Sequence, residues 1–250
     1  MKKKLTQRRL KRKRIAIAVL SVMLVAATIF LFQKMGSRGT ASQPKITVEL
    51  DAAFGGDQPG YAGIITEAEF NEKTVDALEK LLKKDDRFEV LRTHEAGTAM
   101  AVSDRAAKIA QDKPDIVLCI RSAHSRKPEL SGMQIYADIP GNASHDASLK
   151  LADSIRDAFT TDAWKPAVGY LYYHPTRPSS YQEKFVDESD TADYGEETLN
   201  IMQECEVPVV VSTGIYVTCQ ADVDAWATDD GYQKAAEQYY AALKACYGAA

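Results

Sequence analysis

The sequence predicts an α/β protein: a three-layer sandwich with a mixed, mostly parallel central sheet flanked by helices, preceded by one N-terminal transmembrane helix. Three observations carry that prediction. From residue 45 to residue 247, short apolar or alternating runs interleave with segments of helical period, the arrangement that builds a helix-covered sheet. The run Ile116-Val117-Leu118-Cys119-Ile120 has no polar alternation, as expected of a strand covered on both faces. Eighteen uncharged residues, Ile15 to Phe32, stand apart near the N-terminus.

Those eighteen residues would span roughly 27 Å as a helix, close to the thickness of a hydrocarbon core. Nine basic residues lie in the first 14 positions and the first acid is Glu49, so residues 1–38 carry +11. The remaining 20 basic and 35 acidic residues sum to −15. This asymmetry predicts a basic cytoplasmic tail (1–14), a single-pass signal-anchor (15–32) and an acidic domain on the extracytoplasmic side of the cell membrane. The alternative is secretion after signal cleavage, with Gly39-Thr40-Ala41 as the small-residue site. A body at −15 would be repelled by phosphates, which argues against nucleic acid as a partner.

Residues 33–44 (QKMGSRGTASQP) read as a linker, and 45–250 as one domain large enough for a full core. Lys45 to Asp51 alternates polar and apolar residues and ends before Gly55-Gly56, a strand entering a loop. Thr66-Glu67-Ala68-Glu69 is a capping box, and Phe70, Thr74, Val75, Leu78, Leu81 and Leu82 share one face of the helix it opens. A strand from Phe88 to Leu91 follows, then a short helix over Arg105–Ala110 begun by Ser103, then the apolar strand 116–120. Further strands are expected at Gly132–Ile139, Val168–Tyr173 and Val207–Val211. Helices are expected at Asp146–Phe159, in a segment ending near Cys205, and at Tyr232–Tyr247. Residues 174–197 carry seven acids and few apolar residues, the composition of an exposed, mobile insertion. Tyr170, Tyr172, Tyr173 and His174 before it could stack on a sugar or peptide, but aromatics are also simply favoured in strands.

Cys119, Cys205, Cys219 and Cys246 have no metal-site spacing; Cys119 reads as a buried small hydrophobe, and Cys219 with Cys246 is the disulfide pair to test first. His94, His124, His145 and His174 read as exposed loop histidines, and no HExxH, P-loop, GxSxG or GxGxxG occurs.

Read together, LDAAFGGDQPGYAGIITEAEFN (50–71), FEVLRTHEAGTAMAVSDRAAKIA (88–110), PDIVLCIRSAHS (114–125), GMQIY (132–136) and VPVVVSTGIYVT (207–218) resemble the zinc-dependent N-acetylmuramoyl-L-alanine amidases, which cut muramic acid from the stem peptide of peptidoglycan. The opening block carries most of the likeness: Asp51, Gly55-Gly56, Pro59-Gly60, Gly63, Glu67 and Asn71 match the family's first loop and helix. The resemblance implies one zinc held by a His after the first strand, a Glu opening the next helix and a His ending a buried strand, with a second Glu as acid/base. On this chain those positions fall at Phe54, Glu67, Arg121 and Ser212, so only Glu67 is retained.

Phe has no lone pair for a metal, Arg stays protonated, and a serine hydroxyl has no pKa suited to acid/base work near neutrality. The resemblance therefore implies a degenerate member, without zinc or a catalytic residue, in which Glu67 and Arg121 pair where the metal would sit and Phe54 fills the adjacent volume. Glu67 and Arg121 are the candidate ligand-binding residues. A relocated zinc site using His124 is the route by which activity could survive. Three functions are expected from these readings: an anchored, inactive module binding peptidoglycan or an envelope protein; a divergent active amidase; or a purely interacting domain with a closed groove.

Overall fold

The computed structural model describes residues 44–248 apart from 178, 179, 191 and 193. The expected tail, anchor and nearly all of the linker lie outside the described residues; among the described residues no helix is long and apolar enough to cross a membrane. The elements, in chain order, are β1 (Ile46–Ala52), α1 (Glu67–Leu82), β2 (Phe88–Arg92), α2 (Val102–Asp112), β3 (Ile116–Ala123), β4 (Gln134–Tyr136), α3 (His145–Phe159), β5 (Ala167–Arg177), β6 (Ser180–Asp187), α4 (Asn200–Gln203), β7 (Val209–Tyr216), α5 (Gln220–Trp226) and α6 (Asp229–Tyr247).

The seven strands form one mixed sheet in the order β2-β1-β3-β7-β4-β5-β6. β2, β1, β3 and β7 run parallel, β4 is antiparallel to β7 and parallel to β5, and β6 returns antiparallel to β5. Strand alternation sorts the core into two layers. Leu50, Leu118, Ile120 and Val210 pack with Phe70 of α1, Leu151 and Ile155 of α3 and Tyr239 of α6. Val117, Cys119, Val209 and Val211 pack on the other face with Ala106 and Ile109 of α2 and Ile201 and Met202 of α4. Both faces of the β3 run are thus covered, as its unbroken apolar sequence requires.

The capping box forms as the sequence indicates: Thr66 Oγ1 accepts from the Glu69 amide at 3.2 Å and two acids sit in the first turn of α1. Other expectations are corrected. α2 begins at Val102 with Ala101 as its N-cap, not at Ser103. The helix before β7 is only four residues long, and α5 was not expected at all. The acidic stretch 174–197 is not one irregular insertion: its first residues extend β5 and residues 180–187 form edge strand β6, paired with β5 along its length. Acidic and basic side chains such as Glu183 and Lys184 suit an edge strand, where they discourage further pairing, and for the same reason they hide it in the sequence. Cys219 and Cys246 are not bridged; all four cysteines are buried free thiols.

Candidate active-site region

The region lies at the carboxyl ends of β1 and β3, where open α/β sheets present their ligand crevices. Its foundation is Asp51 on β1. This carboxylate is fully buried, accepts from Thr93 Oγ1 at 2.6 Å and is bridged to the guanidinium of Arg105 on α2. Burial works against the charge of Arg105, but the Asp51 carboxylate beside it raises its pKa and keeps it protonated. Burial and the Asp51 charge push the Cys119 thiol well above its ordinary range, so Cys119 has no thiolate character.

After β1 the chain turns sharply, and Phe54 takes a left-handed conformation at φ 70°. For a bulky side chain this costs about 1–3 kcal/mol, a strain that persists only where the surroundings enforce it. Two groups do so here. The Ala53 carbonyl accepts from Asn71 Nδ2 at 2.6 Å, tying the turn to α1, and the Phe54 ring packs beside Gly60 and Glu67. Gly60 is required at that point: a Cβ there would lie 2.5 Å from Glu67 Oε2 and 2.8 Å from the Phe54 ring.

Glu67 opens α1 and is buried. Its Oε2 accepts from the Tyr61 amide at 2.8 Å, its Oε1 lies 3.2 Å from His124 Nδ1, and its own carbonyl accepts from Ser122 Oγ at 3.3 Å. The His124 ring stacks flat on Tyr61, with centroids 4.1 Å apart. The expected Glu67–Arg121 pair does not form: no Glu67–Arg121 contact within 4.0 Å is found, and His124 is the partner instead. The reason is strand geometry. Arg121 shares a face with Cys119, towards α2 and α4, whereas α1 covers the opposite face, where Ile120 points. The register shift between Arg121 and Ala123 then redirects the end of β3, which brings His124 to Glu67.

Arg121 instead lines a cavity of about 240 Å³ with Phe54, Arg105, Val102, Tyr173 and Asn200. Ser212 is elsewhere. It is fully buried on the α1/α6 face of β7, with its Oγ 2.8 Å from Tyr239 Oη, so it is a core hydrogen-bonding group and not part of the cavity wall. The other histidines are dispersed: His94 lies in the bend after β2 as expected, with Nδ1 2.9 Å from Thr93 Oγ1, whereas His145 begins α3 with Nδ1 2.7 Å from the Asp138 carbonyl and His174 belongs to β5.

Of the four positions singled out from the sequence, Phe54 and Glu67 are neighbours, Arg121 lies across the Phe54 turn from Glu67, and Ser212 is in the core on the α1/α6 face, opposite Arg121. Tyr61 was not identified as a site residue, and His124 was named only as the residue of a relocated zinc site. A histidine three residues beyond Arg121 was visible in the sequence, but the register shift that places it against Glu67 was not. The zinc implied by the resemblance does not fit these side chains: Glu67 is already engaged by an amide and an imidazole, Phe54 donates nothing, and Arg121 adds positive charge nearby. Among the described residues, no group of three or more His, Cys, Asp or Glu side chains is gathered to hold a metal.

The fold matches one class of protein. Residues 48–245 match the family model for N-acetylmuramoyl-L-alanine amidase, and the chain belongs to that family. A putative N-acetylmuramoyl-L-alanine amidase from Buchnera aphidicola is 31% identical over 94 residues, which cover 37% of this chain and 40% of that protein. The chain therefore aligns with well under two thirds of that curated relative's length. Among solved structures, an N-acetylmuramoyl-L-alanine amidase from Clostridium difficile 630 superposes with a TM-score of 0.64 at 14% identity, over 83% of this chain and 99% of that one. The catalytic domain of CwlV from Bacillus (Paenibacillus) polymyxa var. colistinus gives 0.61 at 17%, over 80% and 97%. The CwlD amidase of Clostridioides difficile, solved in complex with the GerS lipoprotein, gives 0.62 at 13%, over 82% and 100%. At these identities the structural likenesses establish the fold.

Proposed function

We propose that the chain is a membrane-anchored, extracytoplasmic amidase-fold module of peptidoglycan metabolism that binds wall polymer or an envelope protein and does not hydrolyse the muramoyl–L-alanine bond. The observation that carries this reading is the state of the family's reactive positions. Glu67 is committed to the Tyr61 amide and His124, Phe54 occupies the first histidine position, Arg121 faces away from Glu67, and Ser212 is bonded to Tyr239 inside the core. A catalytic zinc needs three protein ligands and an open water position, and one engaged carboxylate does not supply them. The placement outside the membrane rests on the eighteen-residue apolar run and on the change from +11 before residue 39 to −15 after it.

One contact favours a second reading, a divergent active amidase. His124 against Glu67 places two potential ligands side by side, and a third from substrate or a rearranged loop would complete a relocated zinc site. Co-sedimentation of the full chain with purified sacculi tests the proposal. The chain is expected to sediment with sacculi without releasing stem peptide; failure to sediment removes the wall-binding role and leaves the protein partner, and release of peptide supports the second reading.

A further inference from the structure

We infer that the cavity beneath Phe54 is an anion site, one that takes the free carboxylate of a small ligand with a short apolar body, on the scale of a dipeptide end. The replacement of a metal-ligating histidine by Arg121 has inverted the charge that this corner of the fold recognises.

Three features support this. First, Arg121 carries a fixed positive charge into the cavity, and among the described residues no carboxylate lies within 4.0 Å of it. The second guanidinium in the wall, Arg105, is neutralised by Asp51. Arg121 is therefore the guanidinium in this wall left for a ligand's acceptor. Second, the shape suits a planar anion. The guanidinium fork matches a carboxylate in bidentate fashion, and Phe54, Val102 and Ile201 supply apolar contact for the body behind it. Third, the surroundings disfavour a doubly charged ligand. Glu183 stands opposite Tyr173 in the β5–β6 pairing, and Glu197 lines an adjoining cavity of about 310 Å³ that shares Tyr173 and Asn200 with the first. These acids and the buried Asp51 leave room for one negative charge, which selects a monocarboxylate over phosphate.

The inference goes beyond the proposed wall-binding role and fails separately from it: a chain that sediments with sacculi through another surface would show no small-carboxylate site. The test is calorimetric titration of the full chain in detergent with N-acetyl-L-alanyl-L-alanine, N-acetyl-L-alanyl-D-alanine, the C-terminal amide of whichever acid binds, and inorganic phosphate. At least one acid is expected to bind with a Kd on the order of 1 mM, with the amide about tenfold weaker or more and phosphate weaker than the acid. A preference between the two acids tells a wall-type D-residue from an ordinary peptide end. Arg121→Met is expected to weaken the acid at least about tenfold, with Arg121→Lys between the two because the planar fork is lost. Val102→Phe fills the cavity and is expected to abolish binding with Arg121 intact, while Arg126→Ala, in the exposed loop after β3, leaves binding unchanged. Equal affinity for acid and amide, wild-type binding by folded Arg121→Met or Val102→Phe, tighter binding of phosphate, or no binding of either acid up to about 20 mM would each overturn the inference.

Discussion

Glu67 and Arg121, the two candidate ligand-binding residues read from the sequence, are held by the protein in opposite ways. Glu67 sits at the first turn of a capped helix with an amide and an imidazole on its two oxygens. Arg121 leaves the opposite face of β3 and ends in a cavity with no carboxylate in contact. The difference teaches that two ionisable residues close to one loop answer to the face of the sheet on which each lies. The acid at the start of α1 meets His124, and Arg121 follows its strand's pleat to the other side of the Phe54 turn.

The comparison can be broken most severely at its foundation. Asp51→Ala leaves Arg105 charged and unpaired under α2, and a cost of about 3–5 kcal/mol is expected in urea unfolding. A loss below about 1 kcal/mol would mean that the Arg105 side is already solvated. Next comes the direct contrast between the two positions. Glu67→Ala takes the acceptor from the half-buried Tyr61 amide and the partner from His124, and is expected to cost about 1 kcal/mol. Arg121→Met, which breaks no ion pair, should change stability by less than about 0.5 kcal/mol in the same assay. Equal costs would show that Arg121 is tied into the fold in a way the contacts do not reveal.

A further expected effect, on pH dependence, concerns Glu49, two residues before Asp51 on the same face of β1. Both of its carboxylate oxygens are buried without a partner, and burial, aided by Asp112, pushes its pKa up to about 7. A folded pKa above the unfolded value means that the folded state binds the proton more tightly, so the stabilisation is complete below about pH 4.5 and is lost as pH rises to about 7. After allowance for screening by Lys108 and solvent, stability should fall by about 1–2 kcal/mol between pH 5 and pH 8, and Glu49→Gln should flatten that slope. Chemical denaturation across that window measures it, and an unchanged slope in the variant would assign the dependence to other groups.

Much of the architecture was legible because local chemistry dictates it. The Thr66–Glu69 box marks the start of α1 to the residue, and the unbroken run 116–120 announces a strand covered on both faces. β6 was hidden because an edge strand needs no apolar alternation, and residues that protect an edge also resemble a solvated loop. At the site, the resemblance located positions without assigning faces. Ser212 pairs with Ile120 in the β3–β7 register, and Arg121 pairs with Thr213, so Ser212 and Arg121 point to opposite sides of the sheet. A one-residue difference along a strand is a change of compartment, which is why the expected Glu67–Arg121 pair fails while Glu67–His124 forms.

The central claim, an amidase fold without amidase chemistry, is tested most directly by one paired measurement on the full chain purified with zinc present: bound zinc per chain, together with stem-peptide release from sacculi. The account predicts less than about 0.1 zinc per chain and no release above a control without protein. About one zinc per chain accompanied by released peptide would contradict it.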